Sequence, residues 1–537
     1  MSRTLTPTRV VPTGMPKQRG AALAVLCAAV FIINVDSTIV NIALPALVRQ
    51  LGASTRDLQW VVDAYNLTFA ALVLAAGSLG DRYGRKGTLV AGLAIFGLAT
   101  SVGGLVDSSH SLLVVRAGMG IGAALIFPAT LSIISNLYTG RAERAKAIGV
   151  WGAMTGLGVA FGPVAGGFLL EHFWWGSVFV VMAPVAGLTL VAAARFVPTS
   201  RDPSTPPLDI AGLVLSTIGI GTLVYTIIEA PDRGWTNNAT VIGFALTALI
   251  GIVFVRWEQR RQNPMLDLSL FRNLRFSAAS GSVTVSFFAL GGFVFLITQY
   301  FQFLKDYAPL STGVRILPVA LSIGVGSMLG VRLSVSVGNK AVVALGLTMV
   351  GASFAWVSTA STATSYLEIA GQMVVAGIGL GFTTAPATEA IMGVVPIEKA
   401  GVGSAVNDAT RELGATLGVA VIGSVYASLY HSGLDEPALT VTDSTRHAAQ
   451  ESIGAAIAAA RHLGTGGTDL LAAAKRSFFD GFQAGCLVAA GVLFAGAIFA
   501  AIFLPAKPTV DGPTPATADS ARHRSVEPIS PHTKETP

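Results

Sequence analysis

Long runs of apolar residues recur along the whole chain and are separated by short polar segments. A run of about 20 apolar residues is the length of helix that crosses the hydrocarbon core of a bilayer. The pattern therefore predicts an all-α, polytopic membrane protein with fourteen membrane helices. The predicted spans are 21–44, 58–79, 88–106, 111–135, 147–169, 175–196, 209–229, 239–257, 277–303, 311–334, 341–360, 367–391, 404–427 and 480–504.

Three segments fall outside these spans. Residues 1–20 precede the first span without the small-residue site that ends a signal peptide, so this span is expected to stay uncleaved. Residues 428–479 are rich in Ala and Gly and are predicted to form a long outer loop that could carry a short surface helix. Residues 505–537 are rich in Pro, Thr, Ser and charge, which predicts a disordered cytoplasmic tail.

Composition agrees with a membrane protein. Hydrophobic residues make up 52% of the chain and charged residues 12%, with a net charge of +6, whereas soluble domains carry about 25% charged residues. The positive charge is therefore interpreted as membrane topology and not as a nucleic-acid surface. Cys27 and Cys486, the two cysteines, both lie in apolar runs, which excludes a disulfide framework and a thiolate metal site.

The Lys and Arg residues are distributed unevenly between the two sides. If the N-terminus is cytoplasmic, 24 of the 35 cationic side chains fall in cytoplasmic segments and 8 in outer segments. Cytoplasmic loops of membrane proteins carry such an excess. The bias predicts a multi-pass protein with both termini in the cytoplasm. The richness in Ala and Gly is typical of a high-GC bacterium, which favours a bacterial inner membrane.

Three charged side chains lie inside the first, second and fourth spans. An ionised Asp in the middle of a membrane helix costs about 2.5–3.5 kcal/mol on insertion scales, so it usually faces a partner or a hydrated cavity. From the helix rise, Asp36 lies roughly 12 Å below the predicted outer end, and Asp63 and Arg116 roughly 8 Å below theirs. The similar depth predicts one cluster in the outer half.

We hypothesise that this cluster binds and releases protons. Asp36 is the main titrating group, Asp63 shares proton or cation binding, and Arg116 tunes both, because a nearby cation and burial shift a carboxyl pKa in opposite directions. Exchange would follow if a proton and a cation compete for the same carboxylates. In the alternative, Asp63 and Arg116 are interfacial residues that pair with headgroups or with each other.

The segment after the second span reads Gly77-Ser-Leu-Gly-Asp-Arg-Tyr-Gly-Arg-Lys86. It resembles the signature loop of the major facilitator superfamily, in which the acid can pair with arginines or a helix dipole. The resemblance implies a cytoplasmic gate latch in the loop between helices 2 and 3. Its predicted residues are Gly77, Gly80, Asp81, Arg82, Gly84, Arg85 and Lys86.

Two further helices carry similar signatures. The fourth span, with Arg116-Ala-Gly-Met-Gly-Ile-Gly122, resembles the superfamily's Arg-x-x-Gln-Gly-x-Gly helix, although Met119 replaces the usual Gln and removes a hydrogen-bonding partner. The fifth span resembles the glycine-rich helix associated with antiporters of the superfamily, where small residues allow close helix packing. The residues of this antiporter helix are Gly158, Gly162, Pro163, Gly166 and Gly167.

The narrowest resemblance is to the fourteen-helix drug:proton antiporters, and rests on 36–45, 60–67 and 400–414. In the branch of that family that exports quaternary ammonium compounds, an acid stands at the position of Asp63. The resemblance implies an N-terminal six-helix bundle (21–200), two inserted helices (201–262) and a C-terminal six-helix bundle (263–504).

A second group of charges lies near the inner ends of the twelfth and thirteenth spans: Glu389, Asp408, Arg411 and Glu412. Both a gate salt-bridge network and substrate contact remain open for it. Tyr65 and the aromatic side chains of the ninth span could line an apolar pocket or face lipid.

The expected function is proton-coupled export of amphipathic, often cationic, organic compounds by alternating access. No catalytic residues, metal, cofactor or nucleic-acid partner are expected, and the lack of a Gly-x4-Gly-Lys-Ser/Thr loop argues against ATP-driven transport. The expected partners are small lipophilic or cationic molecules, protons and the lipid bilayer, with a monomer as the expected state. The alternatives are a dedicated exporter of a metabolite, lipid or peptide, a non-transporting sensor or scaffold, and an uptake symporter.

Overall fold

The computed structural model describes residues 16–138, 140–201, 208–395, 400–435, 441–463 and 467–505. Most of the predicted tails, 1–15 and 506–537, therefore lies outside the described residues. The described residues form seventeen α-helices: α1 (Pro16–Leu51), α2 (Thr55–Tyr83), α3 (Arg85–Gly103), α4 (Ser109–Leu137), α5 (Arg141–His172), α6 (Ser177–Val180), α7 (Met182–Phe196), α8 (Ile210–Arg233), α9 (Asn238–Arg260), α10 (Leu274–Gln299), α11 (Pro309–Val337), α12 (Asn339–Val357), α13 (Tyr366–Val394), α14 (Ala400–Leu434), α15 (Asp443–Glu451), α16 (Ile453–Leu463) and α17 (Gly467–Phe503).

Fourteen helical segments of the described chain are long and apolar enough to cross a membrane. The short α6 continues into α7 as a single span, and α15 and α16 do not qualify. A 3-10 turn (Leu268–Arg272) precedes α10, and a π turn (Tyr300–Leu304) extends it. The predicted all-α fold with fourteen membrane helices is thereby confirmed.

Several helices are longer than the hydropathy pattern predicts. The first predicted span ends before Pro45, but α1 continues to Leu51 with Pro45 inside it, as membrane helices tolerate when neighbouring helices compensate for the missing N–H. The predicted outer loop 428–479 is wrong at both ends, because α14 continues to Leu434 and α17 begins at Gly467. The hydropathy pattern did not predict the first turns of α17 because they are amphipathic, with Phe478 buried and Asp480 exposed.

The helices pack in two groups. Helices α1 to α7 contact one another, and so do α10 to α14 together with α17. We call these groups the N bundle and the C bundle. We call the side of the molecule at which α1 begins and α17 ends the terminal side, and the opposite side, which carries α15 and α16, the loop side.

Direct contacts between the bundles lie in the middle and on the loop side. The Gln302 amide donates to the Ile42 carbonyl at 3.0 Å, joining the extension of α10 to α1. The buried Gln59 amide of α2 donates to the Val419 and Ala420 carbonyls of α14 at 3.3 and 3.2 Å. These hydrogen bonds join the two bundles in the middle and on the loop side.

Helices α8 and α9 form a hairpin that packs beside the contact of α2 with α14. On the loop side, α8 is fastened to both bundles. Arg56 of α2 lies 2.9 Å from the Asp232 carboxylate, and the Ser424 hydroxyl of α14 donates to the Ile227 carbonyl at 2.8 Å. The hairpin therefore covers one of the seams between the bundles.

Candidate functional site

Asp36 and Arg116 form an ion pair in the interior of the N bundle. The Arg116 Nη1 donates to Asp36 Oδ2 at 2.8 Å, and the two side chains are 1% and 0% exposed. The Ser108 hydroxyl caps α4 by accepting from the Ser111 amide, and two turns further along the helix Arg116 reaches α1. Two charged groups taken out of water are tolerated because each neutralises the other.

Helix α2 supplies the remaining contacts of the Arg116 side chain. The Nε of Arg116 donates to the Val61 carbonyl at 3.0 Å, and its guanidinium lies 4.4 Å from the ring centre of Tyr65, within the range of a cation–π contact. One arginine on α4 therefore holds α1 through a carboxylate and α2 through a carbonyl and an aromatic ring.

Two polar atoms beside this pair are left without a hydrogen bond. Asp36 Oδ1 and the Tyr65 hydroxyl are both buried and have no partner among the described residues. Buried polar atoms are normally satisfied, so each of these two atoms calls for an explanation, such as a bound ligand, a water molecule or a functional role. Oδ1 is the carboxylate oxygen that Arg116 does not contact.

Asp63 does not join the pair, which differs from the predicted three-residue cluster. Val61 and Tyr65 are four residues apart and share the face of α2 that meets Arg116, whereas Asp63 lies about 200° around the helix from each. Asp63 is four residues from Gln59, and so lies on the face toward α14. Its side chain is fully buried, and neither carboxylate oxygen has a hydrogen-bond partner among the described residues.

The glycines of the fifth span support α1 directly behind Asp36. A Cβ added at Gly158 would lie 2.8 Å from the Phe31 carbonyl oxygen, and one at Gly162 would lie 2.8 Å from that of Val35. At Gly166 it would lie 2.6 Å from Ile39 Cγ1. Such backbone contact requires residues without a side chain. The stripe thus fixes the position of the helix that carries Asp36.

Gly167 and Pro163 of the same helix face the other bundle. A Cβ at Gly167 would lie 2.5 Å from the Cα of Leu310 in α11, and Gly313 of α11 abuts the Pro163 carbonyl. The antiporter helix therefore packs against α1 on one face and the C bundle on another. Helix α5 thus lies between the helix that carries Asp36 and the C bundle.

We expect Gly162→Leu to destabilise the protein, because overpacking a tight interface costs about 1–3 kcal/mol and more where backbone is the obstacle. Gly156→Leu is the matched control on the same helix, since a Cβ there meets nothing within 4 Å. Thermal unfolding in detergent should show a lower melting temperature for Gly162→Leu alone. Equal melting temperatures for the two variants would contradict the packing role.

The predicted gate loop is almost entirely helical. Helix α2 runs to Tyr83, and α3 begins at Arg85, so that only Gly84 lies between them, with φ at 124°. A glycine is needed there because other residues rarely adopt that conformation. The Asp81 carboxylate pairs with Arg85 Nε at 2.6 Å, and the Arg85 amide donates to the Ser200 carbonyl. These contacts stay within the N bundle.

The remaining residues of this segment make only local contacts. The Arg82 guanidinium lies over the ring of Tyr83, and a Cβ at Gly80 would lie 3.5 Å from the Thr88 hydroxyl. Gly77 packs beside Pro128 of α4, and Lys86 is partly exposed in the first turn of α3. The role of a gate latch stays a prediction.

The second group of charges divides into separate contacts within the C bundle. Glu389 accepts from the Asn339 amide at 2.6 Å and lies 3.8 Å from Arg275. Arg411 donates to the Thr388 hydroxyl and packs over the Phe287 ring. Glu389 therefore pairs apart from the other three residues, whereas Asp408, Arg411 and Glu412 interact electrostatically with one another along α14.

Acids of both bundles approach Tyr65. Asp36 of the N bundle and Glu412 of the C bundle both lie within Coulombic range of its hydroxyl, whereas Asp408 lies one turn before Glu412 on α14 and is buried. The sequence left Tyr65 either lining an apolar pocket or facing lipid, and did not indicate its contact with Arg116.

Gln59 was also missed, although an amide side chain in an apolar span is expected to hydrogen-bond to a neighbouring helix. Of the aromatic side chains of the ninth span, Phe293 and Phe295 are buried and Phe287 is half-buried. Among the described residues, no three His, Cys, Asp or Glu side chains come together as possible metal ligands.

Comparison with known proteins places this geometry in context. The sequence profile of the Major Facilitator Superfamily matches residues 26–419. The multidrug efflux pump LfrA of Mycolicibacterium smegmatis is 34% identical over 90% of this chain and 96% of its own length. The methyl viologen resistance protein SmvA of Salmonella typhimurium is 34% identical over 83% of this chain and 90% of its own.

Solved structures share the fold. A bacterial homolog of the human lysosomal transporter Spinster, in an inward-facing and occupied conformation, aligns with a TM-score of 0.68. The alignment covers 91% of this chain and 98% of that protein, at 16% sequence identity.

Proposed function

Since this chain belongs to the Major Facilitator Superfamily, we propose that it is a proton-coupled exporter of amphipathic, often cationic, drugs or toxic organic compounds. Relatives that align along most of its length are named as multidrug efflux and resistance proteins. The observation that carries proton coupling is the buried pair of Asp36 and Arg116, with one carboxylate oxygen left without a partner. The chain acts as a transporter and not as an enzyme, and its energy source is the proton gradient.

The ion pair links a protonation event to helix position. Protonation of Asp36 removes the Coulombic attraction that ties α1 to Arg116, while the arginine keeps its contacts to Val61 and Tyr65 on α2. Because α1 packs backbone to backbone on α5, and α5 on α11, movement of α1 reaches the C bundle. Rocking of the two bundles around a central site is the way in which such folds alternate access.

The orientation follows from the charge bias. The Lys and Arg excess assigns the terminal side to the cytoplasm and the loop side to the outside of a bacterial inner membrane. The bundles are joined toward the loop side, so in this conformation the outer gate is the closed one. Export requires a second conformation in which these contacts open.

Asp63 is the best candidate for recognition of cationic compounds, because it is a buried carboxylate without a partner on the face of α2 toward the C bundle. The attraction between two unit charges about 4 Å apart is about 1 kcal/mol in water and about 4 kcal/mol at an effective dielectric constant of about 20. Asp63→Asn should therefore weaken transport of a cation such as methyl viologen roughly 10- to 100-fold, and leave an uncharged dye unaffected.

Asp63→Glu is the matched control, and should keep most of the cation transport. The measurement is initial uptake into proteoliposomes with an imposed pH gradient. Equal loss of charged and uncharged compounds in Asp63→Asn would contradict a role in charge recognition.

The function itself is tested by growth of an efflux-deficient bacterium on an array of toxic compounds, with and without the chain and with and without a protonophore. We expect resistance to several chemically unrelated amphipathic compounds, and loss of that resistance when the proton gradient is collapsed. Resistance to a single compound would favour a dedicated exporter. Resistance that survives the protonophore would exclude proton coupling.

A further inference from the structure

The inserted hairpin ends on the terminal side in a group of arginines. Arg256 and Arg260 lie in the last two turns of α9, and Arg261 follows the helix directly. Arg272 lies in the 3-10 turn before α10, and this turn packs against α9. All four side chains are exposed, and we call them the arginine patch. The patch is a positive surface at one end of a membrane-spanning helix.

Arg256 and Arg260 lie on the face of α9 that meets lipid. Helix α9 packs on α8 through the opposite face, where Glu258 is buried against Gly212 of α8. Each arginine is two residues from Glu258, which places it about 200° around the helix. Ile252, about one turn before Arg256 on the same face, is 59% exposed. A lipid-facing apolar stripe of α9 therefore ends in two cations.

The protein does not neutralise these cations. Among the described residues, Arg256, Arg260 and Arg272 form no ion pair with an acid. Asp209 and Glu258, the two acids at the base of the hairpin, are 4% and 3% exposed and face inward. Long cationic side chains at the end of a span extend toward the headgroups and water. Three cations of the patch are therefore available to an anion at the membrane surface.

The fourth cation, Arg261, is held in position. Its guanidinium lies 5.4 Å from the centre of the Trp257 ring, and its Nε lies 4.0 Å from Asp209 Oδ1. The Trp257 indole N–H donates to both oxygens of Asp209 at 3.0 Å, which fixes the ring. Asp267, the one acid between Arg261 and α10, accepts from the Ser269 amide and hydroxyl. The patch thus keeps an excess of positive charge beside an ordered tryptophan, a residue that is common at membrane interfaces.

We propose that the arginine patch binds the headgroup of an anionic phospholipid from the cytoplasmic leaflet, with an acyl chain along the apolar stripe of α9. The assignment to that leaflet rests on the orientation proposed above. A guanidinium matches a phosphate group because two parallel N–H groups can bind two oxygens. The lipid would hold this end of the hairpin at headgroup level, while Arg56 and Ser424 fasten the other end to the two bundles.

The test is native mass spectrometry of the full-length protein in detergent, with phosphatidylglycerol or phosphatidylcholine of the same acyl chains. Each cation near an anionic headgroup strengthens binding about fivefold. We therefore expect wild type to retain about fivefold more phosphatidylglycerol than phosphatidylcholine, and Arg256→Gln with Arg260→Gln to lose about fivefold or more of this binding.

The matched control is Arg332→Gln with Lys340→Gln, which removes two cations at the terminal-side ends of α11 and α12. Arg332 is exposed and Lys340 is half-buried. This control should retain phosphatidylglycerol within about twofold of wild type, because it leaves the patch intact. Equal retention of the two lipids by wild type, or equal loss in the two double variants, would overturn the inference. Release of the lipid by millimolar inorganic phosphate would also overturn it, because the patch would then bind the free anion.

A second measurement locates the lipid without any substitution. Phosphatidylglycerol with a photoreactive diazirine in one acyl chain is incorporated into proteoliposomes, and the crosslinked peptides are identified. We expect the crosslinks to concentrate on residues 249–255 of α9. Crosslinks spread evenly over the lipid-facing helices would contradict a site at the hairpin. Neither measurement uses a transported compound, so the result is independent of the proposed export function.

Discussion

Asp36→Asn is expected to abolish proton-coupled transport. Asparagine cannot release or take up a proton, but its carbonyl oxygen can still accept the hydrogen bond that Arg116 donates at 2.8 Å. The variant should therefore keep the contact between α1 and α4, but it loses the carboxyl group that gains and releases a proton. In proteoliposomes with an internal pH-sensitive dye, addition of methyl viologen should cause proton movement with wild type, and only background movement with Asp36→Asn.

Asp36→Glu is the matched control, because it keeps a titratable carboxyl at the same place and should keep measurable coupling. Thermal unfolding of each variant separates loss of coupling from loss of fold. Proton movement at the wild-type rate in a folded Asp36→Asn protein would reject Asp36 as the coupling residue. Glu412, which acts electrostatically on Tyr65, would then be the next carboxyl to test for coupling.

The span pattern of the sequence predicts the architecture well, because the bilayer imposes one strong requirement on every membrane helix. Fourteen apolar runs correspond to fourteen membrane-spanning helical segments of the described chain. Prediction of helix ends from apolar runs fails where a helix leaves the hydrocarbon core. The first turns of α17 are amphipathic and bury Phe478 against Tyr426 of α14, so their mean hydropathy is too low for a window method.

The sequence predicts how deep each site residue lies in the membrane, but not the direction in which its side chain points from the helix axis. Counting residues along the helices gives Asp36 and Arg116 a similar level, and the two side chains touch. The same count included Asp63, because depth contains no information on rotation about the helix axis. The rotation is set by tertiary packing: the Gln59 amide binds two carbonyls of α14 and turns that face of α2 toward the C bundle.

The structure identifies the partner helices of the glycine stripe, which neither the residues nor the family resemblance had identified. The glycine stripe of α5 indicates close helix packing from spacing alone, but spacing does not identify the partner helix. The structure gives two partners, α1 for Gly162 and α11 for Gly167.

Arg116→Met is expected to be the most destabilising substitution in the N bundle. It removes the partner of a buried carboxylate, and breaking such a pair by deleting one charge costs about 3–5 kcal/mol. It also removes the donor to the Val61 carbonyl and the cation above the Tyr65 ring. Arg315→Met is the matched control, because Arg315 also lies in a span and stacks on an aromatic ring, Tyr307, but is only half-buried.

Combining Arg116→Met with Asp36→Asn distinguishes stability from coupling. The double variant buries no unpaired charge, so it should recover a large part of the lost stability, with a coupling energy of about 1–3 kcal/mol in the double-mutant cycle. It should still show no proton-coupled transport, because the titrating carboxyl is gone. If the double variant unfolds at the same temperature as Arg116→Met, the arginine acts through Val61 and Tyr65 and not through Asp36. In that case protonation of Asp36 could not release α1, and the proposed link between proton binding and bundle movement would fail.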